Sequence, residues 1–465
     1  MRPLQRVTPT PEQITIISRN RPGVEVIRGA AGSGKTTTAI LRLNSLLGMF
    51  LNRRQREERE EPLQVLVLTF NRTLRGYVRA LAQDQIESPS DVNLLISTFG
   101  KWTKNAFGNP NVLNDTLRRS KIENLGKPIG LSADFLVSEV EYVMGRFLPE
   151  DFNKYLTARR DGRGISPRVE RPTRERILEE VVYPYRAWKE ASNYLDWYDL
   201  AVHYAREKMD ILYDIVIVDE TQDFSANQIR AITNQLREIH SLTFVVDTAQ
   251  RIYASGFTWA EAGITVRAEN SRRLMVNYRN TVEIARFAAP LIEGLPIDDD
   301  ATIPDFSRSR SHGPVPRVLK GRFREQLRTA INIIKNEIDL DNESVAFLHP
   351  LGWFRDVTSS LDANGLGYVE ITRQQDWPRG EQNIALCTLH SAKGLEFDHV
   401  IIIGLNQEVT SHGDDEGDDK LTMLRRLLAM GISRAKKSVV LGYKPEDASS
   451  LIGYLDEDTY EEIVV

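Results

Sequence analysis

The stretch from Val24 to Thr38 constrains the fold of this chain more than any other. A short β-branched run, Val24–Arg28, is followed by the sequence GAAGSGKT at Gly29–Thr36 and then by a helix-like apolar pattern. A G-x-x-x-x-G-K-[ST] motif between a strand and a helix is typical of a loop that binds nucleotide phosphates. Its glycines let backbone N–H groups approach phosphate oxygens, and the following helix adds the positive end of its dipole. We therefore expect an α/β domain built around this loop.

The loop predicts the contacts to a bound nucleotide. Lys35 is expected to reach the β- and γ-phosphates, and the Thr36 hydroxyl is expected to bind Mg²⁺, which makes ATP and Mg²⁺ the predicted cofactors. The residues expected to surround the nucleotide phosphates are Gly29, Ala30, Ala31, Gly32, Ser33, Gly34, Lys35, Thr36 and Thr37.

Composition limits the class of protein further. A chain of 465 residues is too long for one core, so two or three domains are expected. Its net charge of −5 means that nucleic acid would need a local basic groove. The single cysteine, Cys387, excludes an internal disulfide and fits a reducing compartment. No apolar run is long enough to span a bilayer and residues 1–6 lack a signal-peptide pattern, so we expect a cytoplasmic protein with no membrane partner.

Two apolar runs predict buried strands of a parallel sheet, Leu63–Thr69 and Leu94–Thr98. They end in Thr69-Phe70-Asn71 and Thr98-Phe99, and ligands of open α/β sheets lie at the carboxyl ends of the strands. Aromatic and basic residues follow both strands, a composition that suits stacked bases and phosphates. Taken alone, each phenylalanine is more simply interpreted as a core side chain.

A third apolar run, within Ile211–Asp223, ends in two adjacent carboxylates, Asp219 and Glu220. Carboxylates at the end of an apolar strand are energetically costly unless they are paired or bound to a metal. Beside a phosphate loop, Asp219 can hold Mg²⁺ and Glu220 can accept a proton from the attacking water. The alternative is a carboxylate pair that caps the following helix.

The next predicted strand, Leu242–Asp247, leads to a polar residue and an aromatic group. Gln250 at the strand end is a candidate sensor of the γ-phosphate, and Tyr253, Phe257 and Trp259 are of the kind that stack on bases. Each aromatic residue alone is also consistent with the core. From about residue 104 to 209 helical periodicity replaces strand-like alternation, and a second α/β pattern begins near Pro316.

In this order, the motifs resemble those of superfamily 1 DNA helicases of the UvrD/Rep/PcrA type, over most of the chain. Gln13 matches the glutamine that reads adenine, and Asp219–Asp223 stands where the family has Asp-Glu-Ala-Gln-Asp. The later segments Asn277–Arg279, Thr388–Phe397 and Arg425–Lys437 match the last three motifs.

The resemblance implies further roles. Tyr278 would stack on adenine, Glu396 would contact the nucleotide, and Arg279 and Arg434 would be arginine fingers that reach the γ-phosphate from the second domain. Contacts to DNA would come from Thr69, Phe70, Asn71, Thr98, Phe99, Tyr253, Trp259 and His390.

The chain also departs from the family pattern. Gly100 stands where the family often has histidine, and Ala429 replaces a usual tyrosine. The helicases carry a large inserted domain before the motif that contains His390, whereas only Thr372–Asn383 stands here. Because a folded domain needs at least ~50 residues, that insert is expected to be absent.

The resemblance implies an α/β fold with two RecA-like parallel-sheet motor domains. The first would comprise residues 1–103 and 210–276, with a helical insertion at 104–209, and the second would comprise 277–465. The implied activity is ATP hydrolysis coupled to 3′–5′ movement on single-stranded DNA or a tailed duplex, with weak unwinding by the chain alone.

The sequence is also compatible with functions of other classes. The chain could be an ATP-gated, DNA-sensing regulatory subunit of a partner nuclease, because it resembles the compact UvrD-like proteins of some antiphage systems. Its protein partner could also be another repair or defence factor. A nucleotide kinase would explain the phosphate loop, but it would leave Gln250, Arg279 and Arg434 without a role.

Overall fold

The chain forms two parallel β-sheets with helices on their faces, which confirms the predicted α/β class. The structure is a computed structural model, and it describes residues 9–29, 33–69, 89–158, 169–247, 258–274, 280–295, 311–371, 382–392, 395–413 and 418–465.

The first sheet has six strands in the order β3-β2-β4-β5-β1-β6, and its strand pairs are parallel. The strands are β1 (Gly23–Gly29), β2 (Leu63–Thr69), β3 (Val92–Thr98), β4 (Tyr213–Val218), β5 (Leu236–Asp247) and β6 (Ser271–Leu274). Helices α1 (Pro11–Ile17), α2 (Lys35–Arg56) and α3 (Phe99–Ala106) belong to the same region of the chain.

Both faces of this sheet are covered, because successive side chains of a strand point to opposite faces. Ile27 packs in a core cluster with the apolar face of α2, whereas its neighbour Val26 packs in a second cluster with Phe99 and Phe224. Strands buried on both faces read as continuous apolar runs, and this explains why the central strands could be predicted from sequence.

A helical region lies between β3 and β4. It contains α4 (Asp115–Gly126), α5 (Ala133–Arg146), α6 (Arg171–Arg176), a π-helical turn (Ile177–Val182), α7 (Tyr183–Ala191) and α8 (Trp197–Arg206). Side chains of α4, α5, the π-helical turn and α7 form a core cluster of their own.

This helical region is fixed to the first sheet through α9 (Ala226–Asn234). The buried Asn227 amide donates hydrogen bonds to the carbonyl oxygens of Met144 and Phe147, both at 2.8 Å, at the end of α5. Ala201 and Tyr204 of α8 pack in a core cluster of the first sheet. The end of α8 is therefore part of the first sheet's core, and the domain bounds inferred from the sequence stay a prediction.

The second sheet has seven parallel strands in the order β13-β7-β12-β11-β8-β10-β9. They are β7 (Arg317–Lys320), β8 (Val345–His349), β9 (Tyr368–Ile371), β10 (Ile384–Thr388), β11 (Phe397–Ile402), β12 (Ala435–Tyr443) and β13 (Glu461–Val464). The accompanying helices are α10 (Val282–Ala288), α11 (Phe323–Glu337), α12 (Arg355–Ala363) and α13 (Asp419–Ile432).

Two of the four edge strands, β6 and β13, were not predicted from the sequence. β6 reads SRRL and β13 reads EEIV, and most of their side chains are exposed or half-buried. Each of these strands has one unpaired side and little apolar surface to cover, so neither sequence carries a continuous apolar run. None of the helices in the described part of the chain combines the length and hydropathy needed to cross a bilayer.

Candidate active site

The phosphate-loop sequence joins β1 to α2 at the carboxyl edge of the first sheet. Gly34 precedes α2 with φ of +75°, a left-handed conformation that favours glycine, and its carbonyl accepts hydrogen bonds from the Thr38 N–H and hydroxyl at 2.8 and 2.7 Å. A Cβ on Gly29 would lie 2.9 Å from the carbonyl oxygen of Leu274, so no side chain fits there. Lys35, 8% exposed, begins α2, where the helix dipole favours an anion.

Gln13 is held against this loop by a helix cap. Its side-chain oxygen accepts a hydrogen bond from the Thr10 N–H at 2.9 Å, while the Thr10 hydroxyl accepts one from the Gln13 N–H, which forms a capping box at the start of α1. The Gln13 amide nitrogen donates to the Ser33 carbonyl at 3.4 Å. The cap and the loop contact together orient this buried side chain.

The carboxylate that follows β4 meets the phosphate loop. The Thr36 hydroxyl donates a hydrogen bond to Asp219 Oδ1 at 2.9 Å, across 183 residues of sequence. Asp219 is 2% exposed, and its Oδ2 is buried without a hydrogen-bond partner among the residues that the structure describes. Burial, reinforced by the neighbouring Glu220, raises the pKa of Asp219 to about 7.

Thr36 and Asp219 fit a magnesium ion. An unsatisfied carboxylate oxygen beside a threonine hydroxyl offers the hard oxygen ligands that Mg²⁺ prefers, so Thr36 and Asp219 would hold this ion against the nucleotide phosphates. Within the described ranges no group of three or more His, Cys, Asp or Glu side chains could hold a metal ion without such added ligands.

Glu220 occupies a strained backbone position next to Asp219. Its φ of 51° and ψ of 45° lie in the left-handed region, which is unfavourable for a residue with a Cβ. The side chain is 9% exposed, and its Oε2 accepts a hydrogen bond from the Gln222 amide. Strain of this kind is concentrated at functional sites, where the surroundings hold a side chain in a required direction.

Two predicted nucleotide contacts lie beside β11 and β12 of the second sheet. Arg434 is 3% exposed, and its guanidinium donates hydrogen bonds to the carbonyl oxygens of Met430 at 3.2 Å and Leu395 at 3.5 Å. The Glu396 carboxylate lies 3.4 Å from the Lys436 ammonium. Arg434 and Glu396 are therefore brought close together by the parallel pairing of these strands.

The predicted DNA contacts that the structure describes are buried or half-buried. Thr69 and Thr98 end neighbouring strands in register, and Thr98 caps α3. Phe99, however, is 5% exposed and makes edge-to-face contacts with Trp102 and Phe224 at centroid distances of 5.7 and 6.3 Å. This position matches the alternative interpretation of Phe99 as a core side chain.

Two further predicted DNA contacts are half-buried. Trp259 packs against Phe244 with ring centroids 4.8 Å apart, and His390 lies just after β10. The remaining predicted site residues lie outside the described residues: Ala30, Ala31, Gly32, Phe70, Asn71, Gln250, Tyr253, Tyr278 and Arg279.

Arg42 is a positioning residue that the sequence analysis missed. It lies on the buried face of α2, is 1% exposed, and donates hydrogen bonds to the Arg19 carbonyl at 2.8 Å and the Thr243 hydroxyl at 2.5 Å. Burial, only partly offset by the charge of Glu25, lowers the pKa of Arg42 to about 10. The sequence signal for this role was an arginine at a position of α2 where the helical pattern calls for an apolar residue. It fixes α2, and with it Lys35 and Thr36, against β5.

Comparison with known families identifies two matching segments. Residues 10–272 match the UvrD/REP helicase N-terminal domain, and residues 322–446 match the UvrD-like helicase C-terminal domain.

Three curated relatives illustrate the similarity. The chain is 35% identical to the ATP-dependent DNA helicase Rep of Buchnera aphidicola over 128 residues, which cover 28% of this chain and 18% of that protein. It is 29% identical to the ATP-dependent DNA helicase PcrA of Bacillus subtilis, over 25% of this chain and 15% of that protein. A probable DNA helicase of Mycoplasma pneumoniae is 23% identical over 90% of this chain and 80% of its own length. The chain thus matches less than a fifth of the length of the Rep and PcrA relatives.

The strained, charged position of Glu220 predicts a gain in stability when it is replaced. Glu220→Gly relieves the left-handed backbone and removes a negative charge beside buried Asp219, whereas Glu58→Gly relieves a similar φ of 51° at an exposed site. At about pH 8 we expect Glu220→Gly to raise the free energy of unfolding more than Glu58→Gly does, by on the order of 1–3 kcal/mol, the scale of like-charge repulsion at close range. Urea denaturation of both variants measures this difference. Equal effects would show that repulsion between Glu220 and Asp219 does not lower the stability of the fold.

Proposed function

The chain belongs to the UvrD/REP helicase family, and from this premise we propose that it is an ATP-dependent motor that moves 3′ to 5′ along single-stranded DNA. The observation that carries the proposal is the contact between Thr36 and Asp219, with one Asp219 oxygen left unsatisfied. A phosphate loop and a carboxylate that meet in this way form a site for a nucleotide with its Mg²⁺. The motor assignment itself extends from the family to this chain.

The first sheet supplies most of the proposed hydrolytic groups. Thr36 and Asp219 would hold Mg²⁺, which when bound neutralises charge on the β- and γ-phosphates. Lys35 binds the same phosphates at the start of α2, where the helix dipole reinforces its charge. Glu220 orients the attacking water and accepts its proton, so that attack on the γ-phosphate produces ADP and inorganic phosphate. Gln250 senses the γ-phosphate.

The remaining nucleotide contacts come from Gln13 near the N-terminus and from the second domain. Gln13 and Tyr278 bind adenine, and Glu396 contacts the nucleotide. Arg279 and Arg434 of the second domain approach the γ-phosphate and stabilise the charge that develops during transfer. Because those arginines reach the nucleotide only when the two domains close, hydrolysis would alternate their grip on a DNA strand, which passes the predicted contacts at the ends of β2, β3 and β10.

Turnover of ATP with and without single-stranded DNA tests the proposal. We expect the wild-type chain to hydrolyse Mg²⁺-ATP faster when oligothymidylate is added. Lys35→Ala should lose turnover because the γ-phosphate loses its main charge partner. Glu220→Gln should bind ATP but fail to hydrolyse it, because an amide cannot accept the proton of water.

The two variants also distinguish the outcomes of that test. A fluorescent ATP analogue measures binding, and phosphate release measures turnover. Near-native turnover in either variant would contradict the assigned roles. DNA binding without DNA-stimulated turnover would favour the regulatory-subunit alternative over the motor.

Arg434 allows a test of the closed state. Arg434→Ala should lower kcat by roughly 10³ or more, the scale found for arginine fingers, with a much smaller change in ATP affinity. Arg425→Ala is the matched control, because its buried guanidinium also binds carbonyl oxygens, those of Leu291 and Glu293 at 2.9 and 2.7 Å. The control should lose stability while the folded fraction keeps its kcat. A normal kcat in Arg434→Ala would place that residue outside the site.

Unwinding by the isolated chain is proposed to be weak. Parallel strands β9 and β10 pair directly, and only residues 372–383 connect them, too few for the ~50 residues of a folded domain. Translocation needs only two domains with alternating grip, whereas strand separation also needs a platform that holds the duplex. A strand-separation assay on a 3′-tailed duplex under single-turnover conditions should therefore give little product, beside efficient translocation on single strands. Processive unwinding by a verified monomer would contradict this part.

A further inference from the structure

An exposed tryptophan stands at the carboxyl edge of the second sheet. In the turn after β8, Leu351 and Trp353 are 51% and 52% exposed, and no other tryptophan among the described residues is exposed. Isolated exposed apolar residues are common on protein surfaces. The surroundings of this one, however, hold it in a defined position.

His349, the last residue of β8, organises the turn. Its Nδ1 accepts hydrogen bonds from the backbone N–H groups of Leu351 at 3.1 Å and Trp353 at 3.3 Å. Its imidazole stacks on the Trp353 indole with ring centroids 5.8 Å apart and an interplanar angle of 28°. Burial lowers the pKa of His349 to about 4, so the ring stays neutral and Nδ1 remains an acceptor at physiological pH. The indole is therefore fixed before any ligand arrives.

The turn packs against the segment that begins at Thr388. β8 and β10 are neighbouring parallel strands, with His349 paired to Thr388, and the His349 carbonyl accepts a hydrogen bond from the Leu389 N–H at 3.2 Å. Gly352 has φ of +75°, and a Cβ there would lie 3.0 Å from the Thr388 methyl carbon. Trp353 and His390 therefore follow neighbouring parallel strands at the same edge of the sheet. Adjacent strands are about 4.8 Å apart, so the ends of these two strands lie close together.

We propose that Trp353 stacks on a base of single-stranded DNA that crosses this edge, as a contact additional to His390. This inference rests on the proposed function, which brings a DNA strand to the second sheet. Stacking suits an enzyme that moves along any sequence, because every base offers a π face. A rigid indole also loses little conformational entropy when it binds.

The size and charge of the surface favour a nucleic acid over a protein partner. Two exposed side chains offer far less than the about 800 Å² that each partner buries in a stable protein interface, whereas a single base covers a single indole. Arg355, exposed at the start of α12 two residues beyond Trp353, provides a positive charge for a neighbouring phosphate.

Binding of labelled oligothymidylate to the full chain at several salt concentrations tests the proposal. Trp353→Ala should weaken binding by ~5- to 100-fold, with an unchanged slope of log K against log salt, because stacking releases no counterions. Arg355→Ala should instead lower that slope by about 0.7, the value for one phosphate of a single strand. Trp353→Phe should retain most of the affinity while it abolishes the part of the fluorescence quenching that comes from Trp353.

Controls separate this inference from the proposed function and from a folding defect. Ile239→Ala removes another exposed apolar side chain, near the start of β5, and the DNA affinity of this variant should be unchanged. If the wild type binds no single-stranded DNA, the proposed function fails. If it binds and Trp353→Ala binds equally well, the stacking role is overturned while the motor stands. A change in nucleotide affinity alone would assign the turn to the nucleotide site and overturn the stacking role. If Trp353→Ala misfolds, the fluorescence comparison replaces it: DNA should quench the wild type more than Trp353→Phe, and equal quenching would overturn the stacking role.

Discussion

The hydrogen bond between the Thr36 hydroxyl and Asp219 depends on a constraint that shapes the whole first sheet: all of its strands run parallel. The carboxyl ends of parallel strands open onto one edge, so loops that are distant in sequence meet there. β5 lies between β1 and β4, and the side chains that follow these two strands close the gap over it. An antiparallel arrangement would place one of the two loops at the opposite edge.

The same edge concentrates features that lower stability. Buried Asp219 with one unsatisfied oxygen, and beside it the carboxylate of Glu220 on a left-handed backbone, both oppose folding. Cores on both faces of the sheet and the buried Arg42 contacts to β5 and Arg19 hold these groups in place. A bound cation and phosphates would satisfy the charges, so the site is most favourable when it is filled.

The central strands and two of the four edge strands could be predicted from sequence, whereas the edge strands β6 and β13 could not. Leu63–Thr69, in the interior of the first sheet, and Tyr368–Ile371, at the edge of the second, have the predicted bounds, because both carry β-branched and apolar residues between more polar stretches. β6 and β13 were not predicted because their sequences, SRRL and EEIV, contain no apolar run. Phe99 shows the converse: its place after a strand suggested a ligand contact, yet its ring lies in the core beside Trp102.

Local chemistry was readable from sequence alone, because a phosphate loop is defined by glycine spacing, a lysine and a hydroxyl within eight residues. So was the α/β class, because alternating apolar runs and helical periods are local patterns. Which distant groups meet was decided only by tertiary structure. The contact of Thr36 with Asp219, the position of Arg434 near Glu396 and the packing of the Trp353 turn against Thr388 all follow from strand order and register. Those properties depend on pairing between strands far apart in the chain, which no local pattern encodes.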